Sequence, residues 1–459
     1  MTNINDPEST LEIAEAAEQV VQKAEPGAET RAIDNRPSIL FCCPGSILEI
    51  TSGAALSLRA ILESLAYKGF RAVALQATIF DSEQGGEHIM KAGKSQTDKP
   101  IWRSELNGVE HLIVKTGSHV RRFMTCQEEE TYVNLFRAEL AHRRPDMVFL
   151  WGGLVLERTI MREARDANIP VVFYLVNEGY RDKSVFKDVS VIVTDTHATA
   201  SLYKERHDFN CQVIGKFINP EEFVPKVPRK PDFITFINPS FEKGVSVFMP
   251  LAKLASKVCP EVKFLVVQSR GRWPNAMQVL KFEPTDFPNV AIIGHQTDMR
   301  PVYASTRALL LPSLWHESGA RVIAEAQLNG IPILASNTGG SAELIGEGGK
   351  VFEVPEEARQ KKGEVIVTED DLMPWIEEIR KLWNDNDYYE ALSAKAATSG
   401  KQHDSAISAQ RFVKAVSAEV LNSKGIKVPK PGVAQVKQAL EKKRADQAAR
   451  NKVRKVRKG

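Results

Sequence analysis

Glu317 and Glu325 are the side chains whose spacing carries the most chemistry. Glu317 sits in a loop and Glu325 lies about two turns into the helix expected after it. At a rise of about 1.5 Å per residue their carboxylates stand roughly 10 Å apart. Between them falls a helix start, where free N–H groups and the positive end of the macrodipole make a seat for phosphate. A carboxylate accepts strong hydrogen bonds from vicinal hydroxyls. Acid, anion seat, acid is the layout of a nucleotide-diphosphate sugar: hydroxylated sugar, two phosphates, hydroxylated ribose. Lys243 marks a second anion seat. With Gly244 it stands between a strand over 233–237 and a helix over 245–258, so its point charge adds to a helix dipole.

The flanking residues read as scaffold for these groups. Residues 308–311 are an apolar run expected as a buried strand, ended by Pro312 and Ser313. Residues 320–328 are good helix formers with Val322, Ile323, Ala326 and Leu328 to one side. Asn329 and Gly330 close that helix. Residues 331–335 form a second buried strand, and Thr338-Gly339-Gly340 a turn. Strand, loop, helix, strand is the crossover unit of parallel sheets.

Pro312-Ser313, Glu317, Gly319, Glu325-Ala326, Gly330-Ile331-Pro332 and Gly339-Gly340 with Glu343 together resemble the donor-binding signature of the retaining family 4 glycosyltransferases. The resemblance spans about residues 36–400, more strongly in the second half. It implies an α/β chain with two Rossmann-like, doubly wound parallel-sheet domains facing across a cleft (GT-B). It also implies sugar transfer from a nucleotide-diphosphate donor to a hydroxylated acceptor with retention, in polysaccharide, glycolipid or glycoconjugate synthesis. By the same resemblance Glu317 contacts the donor sugar, Glu325 the ribose, and the backbone of Gly319, Ala320 and Arg321 the phosphates and sugar. Lys243 contacts the diphosphate, so Glu317 and Lys243 are the catalytic candidates. Gly53, in the first glycine loop, lies near donor phosphate and acceptor.

The sequence departs from the pattern at two places. Val176-Asn177-Glu178 stands at a strand tip where many relatives carry a histidine, leaving Asn177 or Glu178 to hydrogen-bond donor or acceptor sugar. Asn238-Pro239 stands where an arginine is usual, and Arg270 or Arg272 would have to compensate. No Asp-x-Asp is placed for a metal; Asp370-Asp371 read as helix caps. Neither metal nor cofactor is expected, and the leaving diphosphate would be met by Lys243, arginine and the helix dipole. Two other readings are a catalytically silent sugar-nucleotide binder and an epimerase of the same architecture. His316 and His197 read as structural.

The elements that must hold these groups run in βα order from residue 38. Expected are a strand over 38–43, a helix opening at Thr51-Ser52-Gly53, a strand over 71–75, a long polar loop over 81–107, and strands over 109–114, 147–151, 169–176 and 189–194. A Pro-rich linker over 218–230 precedes the second domain, and a helix over 404–421 returns to the first. The domains so drawn are 1–34, an acidic tail; 35–218, the acceptor side; 219–402, the nucleotide-sugar side; 403–423, the return helix; and 424–459, a basic tail.

Composition fits a globular chain of this length. Of 459 residues, 61 are Lys or Arg and 58 Asp or Glu. That near balance conceals acid gathered in 1–34 and base in 424–459. No apolar run reaches the roughly 18 residues of a membrane span, and the acidic start does not read as a signal peptide. Five scattered cysteines without metal spacing are expected to be reduced. The reading is a cytoplasmic protein, with the basic tail able to meet an anionic membrane surface if the acceptor is lipid-linked. Protein and free sugar acceptors fit equally. Nucleic acid does not, because no aromatic platform accompanies the basic tail.

Overall fold

The computed structural model describes residues 36–82, 85–93, 99–361 and 367–421. Both charged tails lie outside the described residues.

Two sheets organise the chain. The first holds β1 (Ser38–Cys42), β2 (Arg71–Ala77), β3 (Ile101–Leu106), β4 (Val109–Val114), β5 (Met147–Leu150), β6 (Val171–Tyr174), β7 (Val191–Thr194) and β8 (Gln212–Val213). The second holds β9 (Phe233–Ile237), β10 (Phe264–Val267), β11 (Val290–Ile293), β12 (Thr306–Leu311), β13 (Ile333–Ser336) and β14 (Gly349–Phe352). Their orders are β3-β4-β2-β1-β5-β6-β7-β8 and β11-β10-β9-β12-β13-β14. Every pairing is parallel except β3 against β4. Strands β1, β5, β6, β10 and β13 are buried at every position. Such unbroken apolar runs are what a parallel strand needs when helices cover both faces. Each half is thus a Rossmann-like lobe, and strand order reverses beside β1 and β9, where crevices open at the carboxyl ends.

One face of the first sheet packs on helices Cys126–Arg143 and Val155–Asp166. The other face packs on Gly53–Tyr67 and on Phe412, Val416, Val420 and Leu421 from the last described helical stretch. The chain therefore leaves the second lobe and ends on the first. Helices Val245–Val258 and Glu369–Asn384 bury one face of the second sheet. Thr368 is the N-cap of the latter, and Asp371 reaches back to the Thr368 N–H and hydroxyl.

The structure corrects the sequence reading in several places. The segment 81–107, expected as one long loop, contains a helix, Glu87–Gly93, and the edge strand β3. Trp102 anchors it in a small core with Leu48, Ile89 and Ile113. The linker over 218–230 includes one helical turn, Pro220–Phe223, capped by Asn219. An unexpected helix, Asn386–Gly400, packs on Arg321–Leu328. With neighbours on its other sides as well, Ile323, Ala324, Glu325, Ala326 and Gln327 of that helix are all buried.

Candidate functional site

Two strand tips of the second lobe deliver the site. After β12 the chain runs through Pro312 and Ser313 to Glu317. After β9 it turns at Asn238, with a left-handed φ of 63°, toward Lys243 and Gly244. The two loops are stitched together at the Glu242 carbonyl, which accepts from Leu314 N at 2.9 Å, Trp315 N at 3.2 Å and Ser313 Oγ at 3.1 Å. Gly244, with φ 83°, lies against the Pro312 carbonyl so closely that any Cβ would collide with it. The close approach brings Lys243 Nζ to 2.5 Å from Glu317 Oε1, an oxygen that also accepts from Ser313 Oγ at 2.7 Å.

Glu317 is 5% exposed. Burial alone would raise its carboxyl pKa. The Lys243 charge and hydrogen bond, Ser313 and the more distant Lys216 outweigh burial and hold it below the usual carboxylate value. Glu317 is therefore a fixed anion, not an acid ready to give a proton. Its backbone is fixed too: its carbonyl accepts from Gly340 N at 2.6 Å, and Gly339, with φ 56°, has no room for a Cβ beside that peptide. The hydroxyls of Thr338 and Ser341 in the same turn are buried without a hydrogen-bond partner.

Glu325 is equally buried, and protein donors meet both its oxygens. Tyr303 donates its hydroxyl at 2.6 Å and Arg321 its Nε at 3.1 Å. Arg321 also donates to the Phe217 carbonyl at 3.2 Å. A ribose would have to share the remaining lone pairs of Glu325. Ala320, the N-cap of helix Arg321–Leu328, offers no side-chain cap.

The first lobe closes over this loop. Ser318 Oγ donates to the Val176 carbonyl at 2.8 Å, and Thr196 Oγ1 donates to the Ser318 carbonyl at 2.7 Å. Gly319 abuts Asp195, and Gly340 abuts Thr196. The Glu343 carboxylate takes His197 N at 2.9 Å and Ala198 N at 3.0 Å, capping helix His197–His207 from the other lobe. The tip at 176–178 thus stands against the Glu317 loop. Asn177 Oδ1 is used locally on Gly179 N at 2.8 Å, and Glu178 is half-buried near His316. Burial lowers the His316 imidazole despite the nearby Glu178 and Glu317, and its Nε2 has no partner.

Gly53 opens its helix with open space where a Cβ would point, so the turn itself does not require glycine. Arg270 pairs across the lobes with Asp81 at 2.9 Å. Arg272 is exposed. Asn238-Pro239 packs against Gly271, whose N–H Asn238 Oδ1 accepts at 2.8 Å. The sequence reading missed Tyr303, Asp195 and Lys216. For Lys216 a signal was present, a lone charge within the apolar run Val213 to Ile218.

Residues 232–385 match the family model described as Glycosyl transferases group 1. No curated protein matches the chain by sequence. Among solved structures, the chain is similar to sucrose-phosphate synthase from Thermosynechococcus elongatus, at 15% identity and TM-score 0.60, over 83% of this chain and 98% of that one. It is also similar to the Anabaena protein HepE solved with UDP and glucose, at 14% identity and TM-score 0.56, over 83% and 100%. A third is a glycosyltransferase from Rickettsia africae, at 15% identity and TM-score 0.59, over 83% and 98%. The chain has the two-lobed GT-B fold of these structures, and its second lobe is the part that matches the glycosyl transferases group 1 model.

Proposed function

We propose that the protein is a glycosyltransferase that moves a sugar from a nucleotide-diphosphate sugar to a hydroxylated acceptor with retention and without a metal. The observation that carries this reading is the Lys243–Glu317 pair at 2.5 Å, formed where two second-lobe strand tips meet the first lobe. A cation for phosphate and an ionised carboxylate for sugar hydroxyls are what a transferase must place at the scissile bond. The group 1 family model spans both residues and supports the same reading. Structural neighbours solved with UDP or UDP-glucose make a uridine donor the first to try.

In this reading Lys243 meets the diphosphate and neutralises charge as it departs, Glu317 orients the sugar, and the uncapped start of helix Arg321–Leu328 presents its N–H groups to the phosphates. Glu325 reaches the ribose through a lone pair left over from Tyr303 and Arg321. Asn177, Glu178 and Gly53 face the acceptor side.

A thermal-shift screen over UDP-, GDP- and ADP-sugars, followed by measurement of nucleotide diphosphate release, tests the proposal. Stabilisation by one donor class and release abolished by Glu317→Ala and Lys243→Ala are expected. Donor binding with no release in any acceptor mixture would leave a silent binder. Conversion of the donor to an isomeric sugar nucleotide would make it an epimerase.

A further inference from the structure

Lys216 is a buried cation that the donor reading leaves without a task. Its side chain is 5% exposed, and Nζ donates to Asp195 Oδ2 at 2.6 Å and to Ser57 Oγ at 3.4 Å. The other Asp195 oxygen accepts from the Tyr174 hydroxyl at 2.7 Å. A buried ion pair is weak support for stability, because desolvation offsets the attraction. Its position suggests another use. Asp195 is the wall against which Gly319 turns, with no room for a Cβ between them. Thr196, the next residue, holds the Ser318 carbonyl. The pair therefore stands directly behind the loop that carries Glu317.

Lys243 and Lys216 differ in one respect. Lys243 is half-buried and would have to serve both Glu317 and an arriving diphosphate, whereas Lys216 is enclosed and cannot turn to a ligand. We propose that Lys216 is a positioning residue of the donor site: with Asp195 it sets the Ser318–Gly319 backbone, and through that backbone it keeps Glu317 seated beside Lys243. This rests on the donor reading above. The charged groups facing Glu317 are Lys243, Lys216 and His316. Those facing Lys216 are Asp195, Arg321, Glu317 and His403.

The test uses the full chain and two variants. Lys216→Met alone leaves Asp195 buried and unpaired, and is expected to lose stability. Lys216→Met with Asp195→Leu removes both charges together and is expected to fold, so it carries the test. Glu317 is titrated by carbon-13 NMR of glutamate-labelled protein, its signal assigned by loss in Glu317→Gln; no donor is needed. The lost charges of Lys216 and Asp195 largely cancel at Glu317, but the Ser318–Gly319 backbone loses its seat and Glu317 is drawn off Lys243, so in the folded double variant Glu317 should titrate about one pH unit higher. With UDP-glucose as probe, kcat for donor hydrolysis should fall about tenfold or more with a smaller change in KM, and the acid limb should move up with the titration. A folded double variant with unchanged Glu317 titration overturns the proposal, whether or not UDP-glucose is turned over. Parent protein in which Glu317 titrates as expected, but which binds no sugar nucleotide, overturns the donor reading instead.

Discussion

At the scale of single residues, Glu317 and Glu325 look alike in the sequence and differ in the fold. Glu317 meets a cation, Lys243, and one hydroxyl, Ser313, and is held ionised. Glu317→Gln keeps the shape and removes the charge, so a stabilised transition state loses one preorganised partner. A loss of roughly 100-fold in kcat is expected with little change in melting temperature, read by steady-state kinetics. Glu325 instead closes a chain from Tyr303 through Arg321 to the Phe217 carbonyl. Tyr303→Phe leaves a buried carboxylate oxygen short of a donor. Denaturant unfolding should show a loss of roughly 1–3 kcal/mol, and donor affinity should fall if Glu325 meets the ribose.

At the scale of elements, the glycine pair of the turn after β13 does two separate jobs. Gly339 takes a left-handed φ and lets the Glu317 peptide approach, and Gly340 leaves room for Thr196 of the other lobe. Gly339→Ala is strained whatever space is available. It should displace Glu317 and lower kcat sharply, while Gly53→Ala, which meets open space, should leave the melting temperature unchanged. A second element-scale effect concerns pH. Burial pushes His111 on β4 down to about 4, and pushes His403, between helix Asn386–Gly400 and the last helix, down to about 4 as well. Both are neutral in the fold and take up protons in the unfolded chain below about 6.5. Their contribution is complete above that value and is lost as pH falls toward 4. Between pH 7 and 5 each should cost about 2 kcal/mol of stability. Urea titrations at the two pH values check this, and His403→Gln should flatten the slope.

At the scale of the whole molecule, the lobes are joined by polar contacts rooted in the signature itself. Ser318 reaches the Val176 carbonyl, and Glu343 caps helix His197–His207 from the opposite lobe. A carboxylate at a helix N-terminus contributes roughly 1 kcal/mol, here toward closure. Glu343→Ala should increase the radius of gyration measured by small-angle X-ray scattering and raise the donor KM more than it lowers kcat. An unchanged scattering profile would show that closure does not depend on this cap.

Much of the fold was legible because apolar runs and glycine breaks are local signals. The βα alternation, the crossover unit around Glu317 and the Lys-Gly helix start all follow from residues within a few positions of one another. The segment at 81–107 was misread because its strand is polar on its outer face and pairs antiparallel at an edge, which leaves a weak pattern. By itself the sequence determined that two acids flank a helix start and that a lysine begins another. Only the tertiary structure decided that Lys243 meets Glu317 and not Glu325, that Tyr303 occupies Glu325, and that Lys216 and Asp195 stand behind the loop. Those partners lie between 21 and 122 residues apart in sequence. Which charge meets which is set by how strand tips of two sheets pack together, and no local spacing records that.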